Sequence, residues 1–213
     1  VNRAHSALIR FAAATAAGEL AAADRALEAA RSARAPRIEA EETALMLLLH
    51  AGYPAALEGV ARLAQAWPGR ARRRREGGPR EWRARGERLG RRVYGPVFPR
   101  LIENVRAGHP DLAVWMVEQG YGRVLSRSGL AEGMRELVAV AVLAVGGWER
   151  QLVSHLKGAV RLGARRSDIR VAFDAGRRRS RSRAACDRAW ARALGGARER
   201  TAGAAERRLR AAN

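Results

Sequence analysis

The sequence predicts an all-α chain, a helical bundle, on three observations. Apolar residues recur at spacings of three and four through most of its 213 residues. The positions between them are filled mainly by Ala, Leu, Glu and Arg, which are strong helix formers. Strand signals are essentially missing. With 47% apolar residues the chain can build a core, so disorder throughout is excluded.

Each element follows in order. Helices are expected over Ser6 to Ala17, Leu20 to Arg34 and Ile38 to Ala66. Their ends and connectors fall at Gly18, Ala35-Pro36, Gly52-Tyr53-Pro54 and Trp67-Pro68-Gly69. Residues 1–69 thus form a first helical unit. Residues 70–92 carry eleven arginines and three glutamates around Gly77, Gly78 and Pro79, which reads as a linker followed by a short basic helix. Two readings stay open there: a solvated arm joining two modules, or an electrostatic site for RNA, DNA or an acidic partner. Only Trp82 offers a ring for base stacking.

Residues 93–195 form the second unit. Val93 to Pro99 and His109-Pro110-Asp111 punctuate its first helical pieces, and Trp115, Met116 and Tyr121 supply the large side chains best suited to shape a pocket. Two helices follow over 131–145 and 148–163, separated by Gly146-Gly147, and a third begins near Ser167. Arg177 to Arg183 loses the apolar period, and 196–213 is expected to be a disordered tail.

Composition bounds the function. The net charge of +20 invites a polyanion partner, yet only Lys157 among the 41 basic residues is a lysine. Saturation with Ala, Gly and Arg is what a GC-rich coding sequence gives, so the charge reads first as arginine spread over solvated faces. Nucleic acid is not the favoured partner. Cys186 stands alone, which excludes an intrachain disulfide, a cysteine zinc site and a Cys-x-x-Cys pair, and fits a cytoplasmic setting. The longest apolar or glycine run, Leu137 to Trp148, is short of the ~18 to 20 residues that span a bilayer. Residues 7–23 after Arg3 are Ala-rich like a signal peptide, but Arg10 and Glu19 interrupt them, so they read as mature structure; Val1 stands where a start Met is usual. No phosphate loop, His-Glu-x-x-His motif or serine elbow appears, and no metal or cofactor is expected.

Laying residues 8–31 over 137–160 aligns Leu8 with Leu137, Gly18 with Gly147, Leu27 with Leu156 and Ala30 with Ala159. Such an internal repeat implies duplication. The first copy has Ala7 and Ala26 where the second has Glu136 and His155, so any chemistry belongs to the second.

The helix from Met134 to Val145 is apolar around most of its circumference from Leu137 onward and should be buried, with Arg135 and Glu136 near its start. If the two glycines fold the helices antiparallel, Glu136 lies ten residues before Gly146 and His155 eight after Gly147. At about 1.5 Å per residue their levels differ by only about 3 Å, so carboxylate and imidazole can meet. Trp148, Gln151 and His155 recur at i, i+3 and i+7 and are expected to line one side. A histidine held by a carboxylate suits a general acid or base; the alternative is a packing pair that satisfies a buried histidine. His5, His50 and His109 have no such partner spacing and read as structural or solvent-facing.

At these residues the sequence resembles the carboxymuconolactone decarboxylase family, which includes the AhpD-type alkylhydroperoxidases. The resemblance rests on Tyr121 to Leu130, Arg135-Glu136-Leu137, His155, Gly163, Asp168-Ile169 and, in the first half, His50 to Ala56. It implies two tandem repeats, the first structural, and a tendency to form a homo-oligomer. Peroxidase members place a glutamate, a Cys-x-x-Cys pair and a histidine on this hairpin; Glu136 and His155 match, whereas Trp148 and Gln151 stand at the cysteine positions. A thiol peroxidase is thereby excluded. The remaining decarboxylase branch implies a cofactor-independent lyase acting on a small carboxylated lactone or related anion, with His155 as proton donor and Glu136 as its orienter. Arg135, Arg123 and Arg127, with Gln151 and Trp148, are then the candidate substrate contacts, because guanidinium binds carboxylates bidentately. A catalytically inactive module binding a polyanion or protein partner through 70–92 is the competing reading.

Overall fold

The computed structural model describes residues 1–71 and 77–195, and every regular element among them is helical. Helix α1 (Arg3–Ala16) starts where the Asn2 side chain accepts the His5 N–H at 2.8 Å. Gly18, with φ +75°, turns the chain into α2 (Leu20–Ser32). Then come α3 (Arg37–His50) and α4 (Gly52–Ala66), parted at Ala51 and Gly52 where the sequence signalled a break.

Two helices form the centre. Helix α1 buries Leu8, Ile9, Phe11, Ala12 and Ala13, and α8 (Glu132–Gly146) is buried from Met134 to Val145 without interruption. Alanines on both, with valines on α8, let the axes approach closely, and each large apolar side chain removed from water contributes about 1.5–3 kcal/mol. Around them pack α3, α9 (Glu149–Arg161) and α10 (Arg166–Arg177): α1 touches α3, α8 and α10, and α8 touches α3, α9 and α10. Helix α4 leans on α3 and leaves Tyr53 and Leu57 exposed.

The arginine-rich stretch is only in part a solvated arm. Residues 72–76 lie outside the described residues, but Pro79–Tyr94 is a full helix, α5, whose N-terminal Gly78 N–H is capped by the Glu81 carboxylate at 2.8 Å. Between its arginines run Gly86, Leu89, Gly90 and Val93, a small and apolar stripe at helical spacing, and all four are buried. The stripe packs on a π-helical segment (Met116–Leu125) that follows α6 (Phe98–Gly108) and α7 (Pro110–Trp115). There is no room for a side chain at the crossing: a Cβ on Gly86 would stand 2.0 Å from the Val117 carbonyl oxygen, and one on Gly122 would stand 1.9 Å from that of Trp82. Much of the charge is met locally, by Arg83 with Glu118 at 2.8 Å and Arg92 with Glu132 at 2.6 Å.

Between Arg177 and Arg183, where the apolar period is lost, the chain turns from one helix into the next. Helix α10 runs to Arg177, and Ser182 caps α11 (Arg183–Trp190) by accepting the Ala185 N–H. Arg177 holds Asp187 through two bonds of 2.6 and 2.7 Å, pinning the two helices. A π-helical turn (Ala191–Gly195) ends the described part, and the tail 196–213 lies outside it. No helix among the described residues is long and apolar enough to cross a membrane.

Candidate active site

Gly147 adopts φ +69° at the end of α8, a conformation a side chain would resist, and reverses the chain into α9. The hairpin brings Glu136 and His155 together as the spacing predicts: Glu136 Oε2 lies 2.9 Å from His155 Nδ1, and both side chains are buried. A carboxylate only accepts, so Nδ1 carries the hydrogen and Nε2 is the ring position left to exchange a proton. Nε2 has no hydrogen-bond partner among the described residues. Gly158, one turn beyond His155, makes the space: a Cβ there would stand 2.5 Å from Glu136 Oε2 and 2.8 Å from Val93.

Three further polar side chains surround the pair. The Tyr121 hydroxyl donates to that of Tyr94 at 2.7 Å. Burial pushes the Tyr94 hydroxyl up to about 12, with the nearby Glu136 charge adding to it. Tyr121 is raised further, again chiefly by burial. Both phenols therefore stay neutral. On the other side, the His50 ring stands edge-on to His155, with centroids 5.2 Å apart and planes at 80°. Burial first, and the proximity of His155 second, lower its pKa to about 3, so it too is neutral near pH 7.

The expected substrate contacts scatter. Arg127 and Arg135 both hold Glu42: Arg127 bidentately, through Nε at 2.9 Å and Nη2 at 3.1 Å, and Arg135 through Nη2 at 2.9 Å. Glu42 and Arg135 are each 1% exposed, and Arg135 also donates to the carbonyls of Arg127 and Leu130. Neighbours on one helix turn, Arg135 and Glu136 serve different clusters. As carboxylate anchors beside His155, Arg127 and Arg135 are corrected: an internal glutamate occupies their guanidinium groups. Arg123 is also elsewhere, over the Trp82 ring at 5.0 Å and bonded to Gln119. The buried stripe of α9 is Leu152, His155, Leu156 and Ala159; Gln151 lies off it and is exposed. Trp148 precedes the helix with non-helical ψ +80° and is 58% exposed, so the predicted common face of Trp148, Gln151 and His155 does not form. Cys186 is buried, bonded to the Ala144 carbonyl at 3.3 Å, and its thiol is pushed up by burial.

The residues missed from the sequence are Glu42, His50 and Tyr94. Glu42 carried a signal, a lone carboxylate on the apolar side of α3 between Ala40, Thr43 and Ala44. His50 was read as structural or solvent-facing, because its neighbour comes from α9, more than a hundred positions away. Among the described residues no cluster of three or more His, Cys, Asp or Glu side chains is arranged to hold a metal ion.

No curated protein matches this chain. Residues 110–205, however, match the carboxymuconolactone decarboxylase family, and the match takes in α8, α9, Glu136 and His155. Over that segment, a little under half of its length, the chain is similar to the carboxymuconolactone decarboxylase family.

Proposed function

We propose that the protein is a cofactor-independent decarboxylase acting on a small carboxylated unsaturated lactone or a related anionic metabolite. The observation that carries this is the buried 2.9 Å bond between Glu136 and His155, which leaves Nε2 without a partner among the described residues. In the reaction the bond between ring carbon and carboxylate breaks, CO2 leaves, and its electron pair is held as an enolate on the lactone carbonyl. Protonated His155 then delivers a proton from Nε2 to the carbon and recovers it from water. Glu136 is a positioning residue: it fixes the ring by the Nδ1 bond and stabilises the imidazolium. Peroxide reduction does not fit, since Trp148 and Gln151 are not thiols and Cys186 is buried with a raised pKa.

The same reading takes the chain as two tandem repeats. It is supported by the left-handed glycine that turns each hairpin, Gly18 and Gly147, and by reciprocal packing, α1 against α10 and α8 against α3. The test of function is the loss of lactone absorbance with time. Purified wild type is expected to consume a carboxylated lactone, and His155→Ala to do so about 10²-fold more slowly or worse. Equal rates would remove His155 from the chemistry.

A further inference from the structure

The arginines expected to bind substrate are occupied elsewhere, and one that carried no expectation is not. Along 177–192 most guanidinium groups have carboxylate partners: Arg177 holds Asp187, Arg179 holds Glu19, and Arg188 and Arg192 hold Glu149. Arg178 and Arg183 bond backbone carbonyls instead, whereas the Arg181 side chain has no partner among the described residues and is exposed. Its backbone is nonetheless fixed, because its N–H donates to the Val145 carbonyl at 3.0 Å and the next N–H, of Ser182, donates to Ser180 Oγ at 3.1 Å.

This cation borders a cleft of about 270 Å³ at the turn of the α8–α9 hairpin, lined in addition by His50, Gly52, Val142, Val145 and Trp148. The indole of Trp148 lies against Gly146, where a Cβ would come within 2.4 Å of the ring. His50 contributes a neutral imidazole whose Nε2 is buried without a hydrogen-bond partner, and the same ring touches His155. A fixed cation, a flat aromatic wall, two valines and an unsatisfied polar nitrogen are the features that recognise a small flat anion.

We propose that this cleft binds a small planar monocarboxylate, with Arg181 pairing the carboxylate, Trp148 covering the ring and His50 forming the polar floor next to His155. The proposal deepens the decarboxylase reading by placing its substrate, and rests on that reading for the link to turnover; the binding itself stands apart. Arg181 is the anchor for which Arg123, Arg127 and Arg135 are wrongly placed.

The experiment is calorimetric titration of the full chain at low salt with 2-furoate, a five-membered ring bearing one carboxylate, and with furfuryl alcohol as its uncharged counterpart. Wild type is expected to bind furoate and not the alcohol. Arg181→Gln should weaken furoate binding about tenfold or more, the loss of one charge-assisted pair. Arg123→Gln should leave it unchanged, and Trp148→Ala should weaken it without restoring the alcohol. No furoate binding by wild type, or equal binding by wild type and Arg181→Gln, overturns the proposal. The two readings separate cleanly. Lost furoate binding in Arg181→Gln with no lactone consumed by wild type keeps the cleft and fails the decarboxylase. Lactone consumption abolished by His155→Ala but untouched by Arg181→Gln does the reverse.

Discussion

Two buried polar clusters bridge the same pair of segments, and they differ in what is left unpaired. Helix α3 supplies Glu42 to one and His50 to the other; α8 supplies Arg135 to the first and Glu136 to the second. In the Glu42 cluster two guanidinium groups take both oxygens of one carboxylate, and the result fastens the 126–130 loop and α3 to the start of α8. In the Glu136 cluster the bonds run out: His155 Nε2 and His50 Nε2 have no partners among the described residues, and His50 opens onto a cleft. Buried charges paired with one another are explained by folding alone, whereas polar nitrogens left unmatched beside a cleft call for a ligand or a reaction.

The largest effect that would break this contrast is on the Glu42 side. Glu42→Ala leaves Arg127 and Arg135 without their carboxylate, one of them fully buried, and is expected to cost about 3–5 kcal/mol in urea unfolding. A loss below about 1 kcal/mol, the range of a surface pair, would show that the cluster does not fasten the fold.

Gly158→Ala sharpens the other side. Its methyl group would meet Glu136 Oε2 and Val93, so the carboxylate must swing off His155. The expected cost in stability is about 1–3 kcal/mol, with turnover falling more than stability accounts for. A variant that keeps wild-type turnover would show that the Glu136–His155 bond is packing only.

The smallest effect is one of pH. His50 stays neutral in the folded protein down to about pH 3, while in the unfolded chain it takes up a proton near 6.5. Between those values the unfolded state binds more protons, so stability falls as pH falls; above 6.5 both states are neutral and the contribution vanishes. The charges near the ring are those of His155, Glu136 and Arg181. His50→Gln should flatten the change in urea midpoint between pH 7 and pH 5, a window above the range in which the depressed carboxyls of Asp168, Asp187 and Glu149 titrate. An unchanged slope would mean His50 is protonated without penalty.

What could be read in the sequence follows from the range of the interactions. The hairpin was legible because helix rise and two glycines fix the levels of Glu136 and His155 without reference to the rest of the chain. Helix α5 was half legible: six arginines mask a stripe that only helical counting from Gly86 to Val93 reveals. The arginines were misassigned because a guanidinium takes whichever carboxylate tertiary packing delivers, and Glu42 lies 85 positions from Arg127 and 93 from Arg135. Trp148 was set on the His155 face by extending helical spacing one residue before the helix begins. Arg181 was hidden among like residues, and only the pairing of its neighbours singles it out.

The contrast between the clusters is tested most directly by the rate of CO2 release from a carboxylated unsaturated lactone, per folded molecule, in His155→Gln and Arg127→Lys beside wild type. The Glu136 cluster should carry the chemistry, so His155→Gln is expected to fall by about 10²-fold or more while Arg127→Lys keeps the wild-type rate. Wild-type release by His155→Gln would contradict it.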